Sequence, residues 1–258
     1  MKQVLIIIAL SSSFTGMAQA LDSVNYMIEG KSFTGYYAYP SEVNAKTKTI
    51  LIIHEWWGLN EYPKSRAIKI AGEGNIAFCI DMYGTGKQGL NPQEAQSMAM
   101  PFYENPKLAY QHFMAGYDAA VQLRGVDKNK MVAIGFCFGG SMVLNAAKMG
   151  APVDAIVSFH GGLAGVPVEK DKLTASVLVC NGGADQFVPE TDIDAIKLQM
   201  RENNEDFTLI NYEGATHAFT NPKATDNGIK FNMPIAYNAE ADAKSWIDFN
   251  KFIAEKVK

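Results

Sequence analysis

The stretch from Met131 to Lys148, MVAIGFCFGGSMVLNAAK, contains an apolar run, a glycine-rich turn and an amphipathic segment in direct succession. Its turn reads Gly135-Phe136-Cys137-Phe138-Gly139-Gly140. A nucleophile flanked by glycines two positions away on either side, between a strand and a helix, is typical of a nucleophile elbow, in which larger flanking residues would collide. The pattern therefore predicts an elbow with Cys137 at its apex, where the helix N-terminus favours the reactive thiolate. The alternative is a buried cysteine in a glycine-rich turn.

The rest of the chain alternates apolar runs with segments that carry apolar residues at helical spacing. The predicted strands are 49–53, 76–80, 131–136, 155–159, 177–180 and 207–212, after a hairpin within 23–40. The predicted helices are 61–72, 106–124, 140–148, 190–203 and 239–257. Continuous apolar strands are buried on both faces, so we expect an α/β fold with a mostly parallel central sheet and helices on both faces. Residues 84–105, with a helix interrupted near Pro101, could cap a site.

The composition is that of a globular protein, since 48% of the 258 residues are hydrophobic and 19% are charged. Residues 1–20 differ: Lys2, a short apolar run and Ala18-Gln19-Ala20 form the pattern of a signal peptide. We expect export to the periplasm with cleavage after Ala20, which leaves residues 21–258 as a single domain. No segment offers about 18 uninterrupted apolar residues, so no membrane span is expected in the mature protein.

The charge and cysteine content restrict partners and redox state. A formal net charge of −4 without a basic stripe argues against nucleic acid, and we expect a monomer or small homo-oligomer. Three cysteines are an odd number in an exported chain, so at least one thiol is free or paired with another chain. Cys79 and Cys180 lie in apolar strand-like runs, where cysteine usually behaves as a small buried hydrophobe.

Chemistry in such sheets gathers at the carboxyl ends of the strands. A thiolate for acyl transfer needs an imidazole, and the imidazole needs an orienting carboxylate. The chain order that accompanies this elbow is nucleophile, acid, histidine. Asp185 follows the next-to-last predicted strand and His217 follows the last, so we predict a triad of Cys137, Asp185 and His217. Asp81 and His160 are rivals at other strand ends, but each falls on the wrong side of a partner in chain order.

The tetrahedral intermediate of acyl transfer needs two backbone donors for its oxyanion. One is expected from the residue after the nucleophile, Phe138, and the other from the loop after an early strand. The Trp56 amide is the candidate for the second donor. Glu55, one residue earlier, lies close enough in principle to reach the Cys137 sulfur, although a solvated loop carboxylate is the usual interpretation.

The side chains around these strand ends are candidates for a substrate pocket. Aromatic residues at such positions belong to the hydrophobic core about as often as they line a pocket, and His160 could instead fix a loop. The predicted lining residues are Trp57, Tyr83, Phe136 and His160, together with the rings of Trp56 and Phe138.

Five segments together resemble the dienelactone hydrolase family over nearly the whole mature chain. They are HEWWG (54–58), DMYG (81–84), GFCFGG (135–140), GGADQFVP (182–189) and GATHAF (214–219). The resemblance implies an α/β-hydrolase fold and a Cys137, Asp185, His217 triad that needs no cofactor or metal. It also implies that Glu55 pairs with the resting thiol until substrate binding swings the sulfur toward the histidine.

The chain departs from the family pattern where the substrate carboxylate would be held. Characterised members carry an arginine just after the D-x-Y element and another shortly after the catalytic histidine, whereas this chain has Gly84-Thr85-Gly86-Lys87 and Thr220-Asn221. Neutral groups do not replace a bidentate arginine, and Lys87 could restore only a point charge. We therefore expect a hydrolase of small esters or lactones for which dienelactone itself is doubtful. The alternatives are a non-catalytic small-molecule-binding protein on the same fold and a redox role for Cys137, although no C-x-x-C pattern is present.

Overall fold

A computed structural model describes residues 20–169, 171–203 and 206–258. The strands are β1 (Leu21–Ile28), β2 (Lys31–Ala38), β3 (Thr49–Ile53), β4 (Ile76–Ile80), β5 (Met131–Phe136), β6 (Ala155–Phe159), β7 (Ser176–Gly182) and β8 (Phe207–Tyr212). The helices are α1 (Glu61–Gly72), α2 (Pro92–Glu104), α3 (Pro106–Ala120), α4 (Phe138–Lys148), α5 (Glu190–Asn203), α6 (Ala224–Phe231) and α7 (Ala239–Lys256). Residues 1–19 of the predicted signal peptide lie outside the described residues, so that prediction stays untested.

All eight strands form one sheet in the order β1-β2-β4-β3-β5-β6-β7-β8. β1 and β2 form the predicted hairpin, whose turn residues Glu29 and Gly30 have φ of 48° and 77°. Two consecutive residues with positive φ are the geometry of a two-residue turn that matches the twist of the strands. β2 pairs antiparallel with β4, and the strands from β3 to β8 are parallel.

Helices cover both faces of the sheet. On one face α1 and α7 pack through residues such as Ile70 and Phe249 against the side chains of the central strands. On the other face α2, α3, α4 and α5 pack, with Phe113 and Val143 among the buried contacts. The central strands β3, β4 and β5 are buried at every position, as their continuous apolar sequence predicts. The α/β prediction is therefore confirmed.

Three helix predictions need correction. α4 begins at Phe138 instead of residue 140, because the chain turns into the helix directly after Cys137. α2 continues through Pro101 instead of breaking there, since its buried residues Ala95, Ala99 and Phe102 keep it packed on the core across the proline. α3 ends at Ala120 instead of residue 124.

Helix α6 was not predicted, because Asn227 and Gly228 are poor helix formers. Close packing explains the glycine: a Cβ on Gly228 would lie 2.3 Å from the carbonyl oxygen of Ile235. The glycine that weakens the helix locally therefore allows it to pack against the segment that follows.

The described cysteines are all free, and two of them are buried as predicted. Cys79 contacts the Pro63 carbonyl and Cys180 lies 3.6 Å from the Tyr212 hydroxyl. Burial raises the pKa of Cys180 to about 12, so this thiol stays protonated and unreactive. Within the described residues, no helix combines the length and apolarity needed to cross a bilayer.

Candidate active site

Cys137 stands on a sharp bend between β5 and α4. Its φ of 53° and ψ of −114° are unusual for a residue with a side chain. A Cβ on Gly135 would lie 2.0 Å from the Gly139 carbonyl oxygen, and one on Gly139 would lie 2.2 Å from the Ile53 carbonyl oxygen. Both glycines are therefore required for the close approach of the bend to the sheet, which is the steric reason behind the sequence pattern.

Three predicted side chains meet at this bend. The Cys137 Sγ lies 3.0 Å from His217 Nε2, and His217 Nδ1 lies 2.8 Å from Asp185 Oδ2. The second oxygen of Asp185 accepts a hydrogen bond of 2.8 Å from the Phe187 amide. The three residues follow β5, β7 and β8, so the parallel sheet brings together groups that are distant in the chain.

The charge distribution favours a protonated imidazole next to sulfur. Burial opposes a charge on His217, but the Cys137 sulfur and the Asp185 carboxylate outweigh it and raise the pKa of His217 to about 10. Since Asp185 accepts at Nδ1, the Nε2 nitrogen is the one that exchanges a proton with sulfur. The arrangement is suited to proton transfer between the sulfur and the imidazole.

The predicted oxyanion donors lie on two different elements near Cys137. Phe138 is the first residue of α4, where an amide has no partner inside the helix. Trp56 follows β3 in the neighbouring loop. Among the residues that the structure describes, neither amide donates to another backbone carbonyl outside the regular elements. Both donors are thus available to a ligand oxygen.

Glu55 is buried at the edge of the site. Its Oε2 accepts a 2.6 Å hydrogen bond from the Asn221 side chain, whereas its Oε1 has no partner among the described residues. Burial raises the pKa of Glu55 to about 7, although Asn221, His217 and Arg66 act in the opposite direction. The sulfur of Cys137 contacts His217 and not Glu55. The structure therefore differs from the resting thiol pairing that the resemblance implies.

Replacement of Glu55 by glutamine should make stability less dependent on pH. A carboxyl with a pKa near 7 when folded and 4.5 when unfolded binds more protons in the folded state between these values. Stability therefore falls as the pH rises through that interval. We expect Glu55→Gln to raise the free energy of unfolding by roughly 1–3 kcal/mol at pH 8 and by much less at pH 5.

The measurement is denaturant unfolding of both proteins at the two pH values. Glu61→Gln is the matched control, because the Glu61 side chain is 85% exposed and should change stability little at either pH. An equal effect of Glu55→Gln at pH 5 and pH 8 would contradict the assignment of a shifted carboxyl.

A cavity of about 340 Å³ opens over Cys137 and His217. α2 forms one wall with side chains at the i, i+3, i+4, i+7 spacing of one helix face: Gln96, Ala99, Met100 and Tyr103. The opposite walls are mostly apolar, and they include Trp56, Trp57, Phe187, Met233 and Ile235. Within the described part of the chain, no Arg or Lys lines this cavity, and Lys87 lies exposed elsewhere.

The cavity corrects part of the predicted lining. Trp56 and Trp57 do line it, but Phe136, Phe138, Tyr83 and His160 do not. Phe136 and Phe138 flank Cys137 and point to opposite faces of the sheet, where their rings are fully buried in the two cores. Tyr83 packs behind the wall, where its hydroxyl donates to the Trp56 carbonyl.

Sequence reasoning missed several groups around the site. The α2 stripe had a detectable signal in its helical spacing, since Gln96 and Tyr103 are seven residues apart. Phe187, whose ring lies 5.0 Å from that of His217, is two residues after the predicted acid. Asn221 had no local signal, because its partner Glu55 is 166 residues away.

The family model of the dienelactone hydrolase family matches residues 33–257. The chain belongs to the dienelactone hydrolase family. Protein usf of Aquifex pyrophilus is 30% identical over 209 residues, which cover 79% of this chain and 88% of that protein. A candidate carboxymethylenebutenolidase of Aquifex aeolicus is 29% identical over the same shares, 79% and 88%.

A solved structure agrees over nearly the whole fold. The crystal structure of a dienelactone hydrolase-like promiscuous phosphotriesterase from metagenomic libraries matches with a TM-score of 0.85. It is 30% identical, and the match covers 94% of this chain and 100% of that one. The α/β-hydrolase fold and hydrolase activity on ester bonds follow from family membership. The alternative of a non-catalytic binding protein is therefore not retained.

Proposed function

We propose that this dienelactone hydrolase family member is a cysteine-dependent hydrolase of small, uncharged esters or lactones. The observation that supports the proposal most directly is the line of contacts from Cys137 Sγ through His217 to Asp185, at 3.0 Å and 2.8 Å. These are the distances over which a nucleophile, a base and an orienting carboxylate act as a unit.

The first half-reaction forms a thioester. The Cys137 thiol gives its proton to His217 Nε2 as the sulfur attacks the substrate carbonyl carbon. The carbonyl electron pair moves to oxygen, where the Trp56 and Phe138 amides stabilise the negative charge. The intermediate collapses by breaking the bond to the alcohol oxygen. His217 Nε2 gives its proton to that oxygen, so the alcohol leaves neutral.

The second half-reaction regenerates the thiol. A water molecule attacks the thioester carbon while His217 Nε2 accepts its proton, and a second oxyanion forms in the same place. Collapse breaks the carbon–sulfur bond and releases the acid, and His217 Nε2 returns its proton to the sulfur. Asp185 keeps the imidazole proton on Nδ1 throughout, so that Nε2 stays free for proton transfer.

The walls of the cavity favour an uncharged substrate. An ionised substrate carboxylate would be taken out of water into a mostly apolar cavity in which no described Arg or Lys pairs with it. Glu55 lines the same cavity, and its ionised form would repel a second carboxylate. Phe187 and Met100 line the exposed side of the cavity, where they are 52% and 37% exposed.

A matched pair of aryl esters tests the proposal. We expect purified protein to hydrolyse 4-nitrophenyl butyrate with a kcat/KM at least about tenfold above that for mono-4-nitrophenyl succinate, whose acyl group ends in a carboxylate. Release of 4-nitrophenol at fixed pH measures both. Absence of hydrolysis of either ester would contradict the proposed activity, and a preference for the succinate ester would contradict the proposed specificity.

We further propose that the enzyme is exported, because residues 1–20 have the pattern of a signal peptide. Intact mass measurement of the protein isolated from the periplasm should give a chain that begins at Leu21. A chain that retains residue 1 in the cytoplasm would contradict the proposal.

A further inference from the structure

His160 lies directly beneath the nucleophile and takes part in no step proposed above. It is fully buried and has a φ of 41°. The backbone amide of Cys137 donates to two acceptors at once, the Phe159 carbonyl at 3.0 Å and His160 Nδ1 at 3.1 Å. The imidazole therefore holds the residue whose backbone is strained.

The other nitrogen of His160 leads to the loop that carries His217. His160 Nε2 lies 2.7 Å from Thr220 Oγ1, and Thr220 is three residues after His217. The Tyr62 hydroxyl lies 2.6 Å from the same Thr220 oxygen. The Thr220 carbonyl accepts from Arg66, whose guanidinium also pairs with Asp242 at 2.7 Å. The loop is thus anchored to α1 and α7 from below.

The hydrogen bonds require one neutral tautomer of His160. Nδ1 accepts from an amide, so the proton is on Nε2 and is donated to Thr220. Burial lowers the pKa of His160 well below its ordinary value, and the charges of His217 and Arg66 act in the same direction. Among the described residues, the groups shown in contact with the ring are the Cys137 amide, the Thr220 hydroxyl and the rings of His217, Phe136 and Phe219, and none of them is a carboxylate that would favour a charged ring.

We propose that His160 is a positioning residue for the thiol reaction. Its neutral imidazole joins the Cys137 amide to the Thr220 loop and so sets the distance between the sulfur and His217. The ring centroids of His160 and His217 are only 5.4 Å apart, so a shift of one is transmitted to the other. This inference rests on the proposed function, since positioning matters only if Cys137 reacts.

Three substitutions separate positioning from mere packing. Asn places an acceptor at about the distance from the backbone that Nδ1 occupies, and it tolerates positive φ. Gln reaches instead toward Thr220 but offers no acceptor near the Cys137 amide. Leu fills similar space without any polar contact. His160→Asn should therefore keep an acceptor for the Cys137 amide, whereas His160→Gln and His160→Leu should lose it.

We expect His160→Gln and His160→Leu to lower kcat for 4-nitrophenyl butyrate about tenfold with KM changed less than about twofold, and His160→Asn to stay within about threefold of the unaltered enzyme. The rate of Cys137 alkylation by iodoacetamide, followed by mass spectrometry from pH 5 to 9, should fall in the same order. Thermal unfolding of each variant shows whether the loss follows stability instead.

Equal activity and alkylation in all variants would overturn the inference. The inference would also be overturned if the losses of activity and alkylation rate followed the melting temperatures of the variants, whether or not residue 160 offers an acceptor to the Cys137 amide. The alkylation rate depends on the positioning of the sulfur and needs no ester. It therefore tests the role of His160 separately from the proposed hydrolase function. If the unaltered protein alkylates rapidly but hydrolyses no ester, the proposed function fails while the role of His160 is still decided by the order of alkylation rates.

Discussion

Cys137→Ala is expected to lower kcat/KM for 4-nitrophenyl butyrate by at least about 10⁴-fold, because in the proposed mechanism the sulfur forms the bond on which both half-reactions depend. The remaining rate would come from binding and from the two oxyanion donors. Stability should change little, since the Cys137 side chain is only partly buried and the bend is maintained by its glycines.

Two further cysteine variants sharpen this result. Cys137→Ser retains a potential nucleophile, but a hydroxyl is not ionised by a neighbouring imidazole as a thiol is, so we expect it to remain far below the unaltered enzyme. Cys180→Ala removes another free thiol, buried in β7 away from the cavity, and should keep the activity per folded molecule. Full activity of Cys137→Ala would refute the mechanism. Inactivation by Cys180→Ala but not by Cys137→Ala would show that the mechanism names the wrong cysteine.

Asp185→Asn is expected to lower kcat about 10²-fold to 10⁴-fold with a much smaller change in KM. Asp185 accepts from the Phe187 amide through Oδ1 and from His217 through Oδ2. An asparagine would keep its oxygen on the Phe187 amide and present its NH₂ group to Nδ1. That forces the imidazole proton onto Nε2, which then cannot accept a proton from sulfur or water.

The pH dependence of this variant gives an independent measurement. The Asp185 carboxylate contributes to the raised pKa of His217, so its loss should move that pKa downward and should move the basic limb of the kcat/KM profile to lower pH. Asp81→Asn is the matched control, because Asp81 is another buried carboxylate at a strand end that bonds the Tyr83 and Gly84 amides. We expect it to lower stability more than kcat. A full kcat in Asp185→Asn would remove Asp185 from the mechanism.

Much of the site was predictable because its determinants are local. The strand at 131–136, the tight bend and the helix after it follow one another in the chain, and the glycines at 135 and 139 are required by contacts that any such bend makes. The positions of Asp185 and His217 followed from chain order and from the rule that parallel strands end at one edge of the sheet. The helices at 61–72 and 190–203 have the predicted bounds because their apolar spacing extends to both ends.

The directions of the side chains next to Cys137 could not be predicted from local sequence. Phe136 and Phe138 are both next to Cys137 and both aromatic, yet one ring packs under α1 and the other under α2. The strand ends and the helix begins between them, so their directions depend on the bend rather than on a repeating pattern. His160 likewise lies beneath the cavity rather than in its wall.

By itself, the amino-acid sequence determined the α/β architecture, the cysteine bend and the meeting of Cys137, Asp185 and His217, since each depends on local spacing or on the common edge of a parallel sheet. Only the tertiary structure decided that Asn221 holds Glu55 and that Thr220 and His160 connect two loops beneath the sulfur. Those contacts join residues 60 to 166 positions apart, and their partners are selected by packing in three dimensions, which leaves no periodic signal in the chain.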